Sequence, residues 1–264
     1  MKVAIAGKGG VGKTIIAATL SRLLAHDNYR VLAIDADPAM NLAYALGISA
    51  DVASKIVPIC ENNTLIQERT GTRPGSGFGG IFSLTPTVND IADRFGVSGP
   101  HGVRLLVMGT VRAGGTGCMC PANALLRALI QHIMLERKEA VVMDMEAGLE
   151  HLGRATIRGV DALIAVVEPG TQSIETARRI KELALDIGLK EVLAVGNKVR
   201  TNEDRRFIES SLEKMGLPPS CTIPFDQRIL QADMMHVAPI DFAPSSPAIQ
   251  AIRELETMLK GRYP

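Results

Sequence analysis

The chain has 264 residues, 46% of them hydrophobic and 3% aromatic, with no tryptophan, four cysteines and a formal net charge of +1. That length allows a large buried core, near-neutrality removes the basis for non-specific nucleic-acid binding, and the scarcity of aromatics leaves little for base stacking. So few cysteines exclude a disulfide scaffold, no apolar run approaches the roughly 18–20 residues of a membrane span, and Gly7-Lys8 ends the N-terminal apolar run too early for a signal-peptide core, so one cytoplasmic domain (1–264) without stable membrane association is expected.

In chain order, residues 2–6 (KVAIA) read as a short buried strand and residues 14–24 as a helix with Ile16, Leu20, Leu23 and Leu24 on one face. Between them Gly7-Lys8-Gly9-Gly10-Val11-Gly12-Lys13-Thr14 completes the pattern G-x-x-x-x-G-K-[ST]. Its glycines let backbone N–H groups converge on phosphates at a helix N-terminus, Lys13 neutralises the β/γ oxygens, and the Thr14 hydroxyl can ligate Mg²⁺. A nucleoside triphosphate is the ligand this pattern predicts. With Lys8 inside the loop, K-G-G-V-G-K-T resembles the deviant Walker A signature of the ParA/MinD and nitrogenase iron-protein class of ATPases. The resemblance implies that Lys8 reaches phosphates bound by an opposite subunit, acting as an arginine finger does when two subunits close face to face.

Further strands are predicted at 31–34, 104–108, 140–143, 162–167, 191–196 and 221–223, with helices between most of them. This alternation is that of a doubly wound, mostly parallel α/β sheet with helices on both faces, the P-loop NTPase fold. From 49 to 102 the rhythm breaks, which reads as an insertion with a glycine-rich mobile loop at 70–80 and a short strand near 81–84. The strand at 31–34 runs into Asp35-Ala36-Asp37-Pro38-Ala39-Met40-Asn41, which resembles the switch I segment of the same class. There Asp37 would position the attacking water and Asp35 would sit near the Mg²⁺ shell, while helix capping by Asp37 is the alternative. The apolar run 141–143 closes on Asp144-Met145-Glu146-Ala147-Gly148, a Walker B and switch II arrangement in which Asp144 holds Mg²⁺ through water and Gly148 turns its backbone toward the γ-phosphate. His151, just beyond, reads as a subunit contact or cap rather than a base.

In the distal half, Gly196-Asn197-Lys198-Val199-Arg200 follows a strand, and Asn197 can hydrogen-bond an adenine edge. GTPases of this superfamily carry N-K-x-D there; Arg200 replaces the guanine-reading aspartate and offers no acceptor, so ATP is expected over GTP. Ile223-Pro224-Phe225-Asp226 resembles the loop that closes over the adenine, which makes Pro224 and Lys198 nucleotide-site candidates. The tail at 248–260 reads as a helix that packs on the sheet.

Cys118-Met119-Cys120-Pro121 follows a glycine-rich stretch. Two thiols at i and i+2 in an extended segment point to one side, within bite distance of one soft metal ion, and Pro121 starts a helix reaching about 137. A tetrahedral S₄ site needs four thiolates, which a face-to-face homodimer would supply by symmetry. Two buried structural cysteines, a cramped disulfide, or completion by Cys60 and Cys221 are the alternatives. Together K-G-G-V-G-K-T, D-A-D-P, D-M-E-A-G-L-E-H, V-E-P-G, G-N-K-V-R and C-x-C resemble the CooC-type nickel-insertion ATPases. That resemblance implies a homodimer with ATP/ADP and Mg²⁺, Ni²⁺ or Zn²⁺ held between Cys118 and Cys120 of both subunits, and apo carbon monoxide dehydrogenase or acetyl-CoA synthase as partner. A MinD/ParA-type positioning ATPase and an iron–sulfur carrier like the nitrogenase iron protein are the alternatives.

Overall fold

A computed structural model describes residues 1–37, 39–72, 83–109, 121–132, 138–145, 159–189 and 191–263. The strands are β1 (Lys2–Gly7), β2 (Arg30–Ala36), β3 (Val97–Ser98), β4 (Arg104–Val107), β5 (Glu139–Met145), β6 (Ala162–Val167), β7 (Val192–Val199) and β8 (Pro219–Pro224). They form one sheet in the order β3-β4-β2-β5-β1-β6-β7-β8. Among the described residues only the β3–β4 pair is antiparallel; the six other pairings are parallel. Parallel strands covered on both sides must be apolar on both sides, which is why they read as continuous runs. In β1, Val3 and Ile5 enter one core and Ala4 and Ala6 the other.

Around the sheet lie α1 (Lys13–His26), α2 (Leu42–Leu46), α3 (Ala50–Ala53), α4 (Asn63–Thr70), α5 (Ile91–Phe95), α6 (Pro121–His132), α7 (Thr171–Asp186), α8 (Asn202–Glu213), α9 (Gln227–Met234), α10 (Pro239–Phe242) and α11 (Pro247–Arg262). One core is closed by α1, α2 and α11, the other by α4, α6, α7 and α8. Helix starts follow local chemistry. Thr201 and Asp204 make a reciprocal capping box on α8, and Ser246 with Pro247 at the first turn opens α11. The apolar face of α11 (Ala248, Ile252, Leu255, Leu259) is buried in the core it shares with α1, as the packed-tail reading expects. Among the described residues no helix is long and apolar enough to cross a membrane.

The region 49–102 departs from the sequence reading. It carries α3, α4, α5, a 3₁₀ turn at Ile59–Glu61 and the edge strand β3, and Leu65, Ile66, Val88 and Ile91 join the core. Of the strand expected near 81–84, residues 81 and 82 lie outside the described residues, and Ser83 and Leu84 are not in a strand. The antiparallel edge is made by Val97–Ser98 instead. Except for Thr70, Gly71 and Thr72, the glycine-rich loop lies outside the described residues, as do positions 133–137 of the helix predicted to reach 137.

Candidate nucleotide site

The site gathers at the carboxyl ends of the central parallel strands, where open α/β sheets place their ligands. The phosphate loop joins β1 to α1. Gly12 sits at φ +97°, and a Cβ there would lie 2.4 Å from the Asn197 side-chain nitrogen, so glycine is required. At Gly9 and Gly10 a Cβ would meet nothing within 4 Å, so their backbone faces the open space that phosphates need. Val11 is fully buried and anchors the loop in the core. Its N–H donates to the Lys8 carbonyl at 3.2 Å.

Beside the loop, register pairs Asp35 of β2 with Asp144 of β5, and both are fully buried. The Thr14 hydroxyl donates to Asp144 Oδ2 at 2.6 Å. Asp144 Oδ1 is buried without a hydrogen-bond partner among the described residues. Burial pushes the Asp144 carboxyl up to about 6, against the Thr14 hydrogen bond and Lys13. Asp35 is pushed up to about 7 by burial, with the neighbouring Asp144 adding repulsion and the N–H groups of Leu42 and Asp37 opposing. An orphaned carboxylate oxygen, a hydroxyl and two crowded acids are a donor set that fits a hard divalent cation; Thr14 and Asp144 would hold Mg²⁺, which supplies charge neutralisation to the phosphates. Because the Asp144 proton must leave first, Mg²⁺ affinity of the ADP complex should be full at neutral pH and fall roughly tenfold per pH unit below about 6. Isothermal titration between pH 5 and 8 checks this, and a flat profile would remove Asp144 from the metal site.

Asp35 has a second task. Its two oxygens accept from the N–H groups of Asp37, at 3.2 Å, and Leu42, at 3.0 Å. It therefore satisfies the first turn of α2. The capping alternative for Asp37 does not hold: Asn41 occupies the N-cap of α2, while Asp37 Oδ1 accepts from Ala39 N–H at 2.9 Å. Asp37 Oδ2 lies 3.9 Å from the Lys13 ammonium, itself almost wholly buried. The structure thus brings Lys13, Thr14, Asp35, Asp37 and Asp144 together.

On the other flank of β1, Asn197 Nδ2 donates to the Val11 carbonyl at 2.7 Å, so its amide braces the phosphate loop. Lys198, at φ +57°, donates to the Gly10 carbonyl at 2.5 Å. Its ammonium also lies 3.3 Å from Glu168 Oε2, and the other oxygen of Glu168 lies 3.7 Å from Lys8. Glu168 belongs to the V-E-P-G segment of the family resemblance, but sequence reasoning assigned it no role; its place after β6, beside the loop, signals one. Next to this cluster the Arg200 guanidinium stacks 3.4 Å from the Phe225 ring centroid, a cation–π contact. Asp226 Oδ2 is buried without a partner among the described residues. Gly10, Asn197, Arg200, Pro224, Phe225 and Asp226 share the lining of one cleft of about 1450 Å³.

Cys118, Cys120, Gly148 and His151 lie outside the described residues. Among the described residues no group of three or more His, Cys, Asp or Glu is placed to hold a metal ion. Cys60 packs against one core and Cys221 against the other, on opposite faces of the sheet. They do not share one ion. The Cys221 thiol is also pushed up to about 11 by burial, which disfavours the thiolate a soft metal requires.

Residues 2–240 match the family model for the CobQ/CobB/MinD/ParA nucleotide-binding domain. The carbon monoxide dehydrogenase accessory protein CooC of Rhodospirillum rubrum is 45% identical over 245 residues, covering 93% of this chain and 91% of that protein. An uncharacterised ATP-binding protein of Methanocaldococcus jannaschii is 44% identical over 236 residues, 89% of each chain. Among solved structures, the MinD cell division protein of Aquifex aeolicus superposes with a TM-score of 0.71 at 21% identity, covering 98% of this chain and 97% of that one. The chain therefore belongs to the MinD/ParA nucleotide-binding family and, within it, to the CooC-type ATPases. It is an ATPase with the doubly wound fold of that family.

Proposed function

We propose that this chain is a homodimeric, cytoplasmic metallochaperone of one domain. It couples ATP hydrolysis to the binding of a Ni²⁺ or Zn²⁺ ion between two C-x-C motifs and to nickel delivery to an apo carbon monoxide dehydrogenase or acetyl-CoA synthase subunit. The observation that carries this reading is the similarity to a carbon monoxide dehydrogenase accessory protein along 93% of the chain. In this account Gly9, Gly10, Val11, Gly12 and Lys13 bind the phosphates. Thr14 and Asp144 serve Mg²⁺, Asp37 orients the attacking water, and Lys8 stabilises charge across the subunit interface. Gly148 carries the nucleotide state toward the interface, and Cys118 and Cys120 hold the cargo. The test is activation of apo carbon monoxide dehydrogenase by Ni²⁺ with the protein and ATP, against the protein with ADP. Equal activation in both would sink coupled delivery.

The base is adenine in this reading. Arg200, stacked on Phe225, stands where a guanine-reading aspartate would be and offers no acceptor for the guanine protons. ATP should be hydrolysed at least about tenfold faster than GTP in kcat/KM, about 1.4 kcal/mol, a modest demand for a mismatched polar pair. Equal specificity constants would overturn the base assignment. A positioning ATPase of the MinD/ParA kind would bind liposomes or DNA with ATP, and an iron–sulfur carrier would purify brown without oxygen. The buried apolar face of α11 and the close spacing of the two thiols, suited to one mononuclear ion, favour the metallochaperone.

A further inference from the structure

Glu168 is the first residue after β6, whose last residues lie beside β1; the register pairs Gly7 with Val166. Its position is fixed from behind, because its own N–H donates to the Ser173 hydroxyl at 3.0 Å. Its carboxylate faces two cations with different duties. Lys198, at 3.3 Å, is tied simultaneously to the Gly10 carbonyl and so belongs to the loop. Lys8, at 3.7 Å, is 39% exposed, and no other partner of its ammonium is recorded among the described residues. One carboxylate thus joins the fixed base of the phosphate loop to the lysine that the proposed function sends across the interface.

We infer that Glu168 is a positioning residue that parks Lys8 within its own subunit and sets the threshold for nucleotide-dependent closure of the dimer. This rests on the trans role of Lys8 given under the proposed function. An ammonium held by a carboxylate in cis must leave it before meeting phosphate in trans, so closure is opposed by the strength of that pair. The pair is half-exposed, and such pairs are weak. The device therefore adjusts a threshold and does not lock the molecule. Its arrangement also keeps Lys198 in place after Lys8 departs, since the Gly10 carbonyl remains its partner.

The experiment is sedimentation velocity of the parent chain, Glu168→Gln, Lys8→Ala and the double variant, titrated with a non-hydrolysable ATP analogue and Mg²⁺. Glu168→Gln should form dimer at an analogue concentration about twofold to fivefold lower than the parent, the range set by a half-exposed ion pair. In the Lys8→Ala background the same substitution should produce no shift. Glu168→Asp, which keeps the charge but draws it back, should fall between Gln and the parent, and provides the test should the Gln variant fold poorly. An unchanged or higher midpoint in Glu168→Gln, or the same shift in both backgrounds, overturns the latch and assigns Glu168 to the loop through Lys198. A Lys8→Ala chain that dimerises and turns over as the parent does, or a parent that forms no dimer, instead overturns the trans reading on which the latch depends.

Discussion

Lys13→Ala abolishes tight nucleotide binding, a loss of at least about a hundredfold in ADP affinity, because the alternative partner of the buried Lys13 ammonium is Asp37 and the loop offers no second cation at that depth. Asp37→Ala should separate binding from chemistry. It removes the carboxylate assigned to the water and also frees Lys13 from its cis partner, so ATP affinity should hold or rise while kcat falls roughly a hundredfold and the ATP-bound dimer accumulates. Equilibrium binding of a fluorescent ADP, with single-turnover hydrolysis, checks both. Unchanged turnover in Asp37→Ala would remove that residue from the mechanism, and retained affinity in Lys13→Ala would remove the loop.

The second large effect concerns the cargo. If Cys118 and Cys120 of two subunits share one ion, binding saturates at one Ni²⁺ per two chains, and Cys118→Ala or Cys120→Ala weakens it by more than about a hundredfold. Any nucleotide state that alters the juxtaposition of the two pairs must alter metal affinity, and the metal must alter nucleotide affinity by the same factor. Titration of the apo, ADP-bound and ATP-bound protein with Ni²⁺, alongside native mass, decides this. One ion per monomer, or one affinity in all three states, would defeat coupled insertion even with ATPase activity intact.

Much of this architecture was legible because the sheet is buried on both faces. The runs Val3–Ala6 in β1, Ala140–Met143 in β5 and Ala162–Val167 in β6 have no polar positions to confuse the pattern, and the phosphate loop carries its own grammar of glycine, lysine and threonine. Strand ends were less legible. The sequence reading closes the second strand at 34 and the seventh at 196, yet Asp35 pairs with both neighbouring strands, and Val199 pairs with Pro224 beyond the polar Asn197 and Lys198. Functional carboxylates and amides interrupt hydrophobic periodicity at the places where strands enter the site. The region 49–102 was illegible for a different reason. Helices of four to eight residues contain too few turns to show a period, and their burial is decided by distant partners. The role of Glu168 was missed because V-E-P-G marks a resemblance without saying which cations its acid will face.

Two carbonyls of the phosphate loop, those of Gly10 and Val11, are held by Lys198 and Asn197 from β7, two strands away from β1. A loop braced by the sheet has little conformational freedom left to lose, so nucleotide capture carries a small ordering entropy. Association should then proceed at a rate set by diffusion into an open cleft, with differences in affinity among nucleotides appearing in their residence times. Of the two exchange steps, release of spent nucleotide should then be the slower, which stopped-flow measurement with a fluorescent ADP checks.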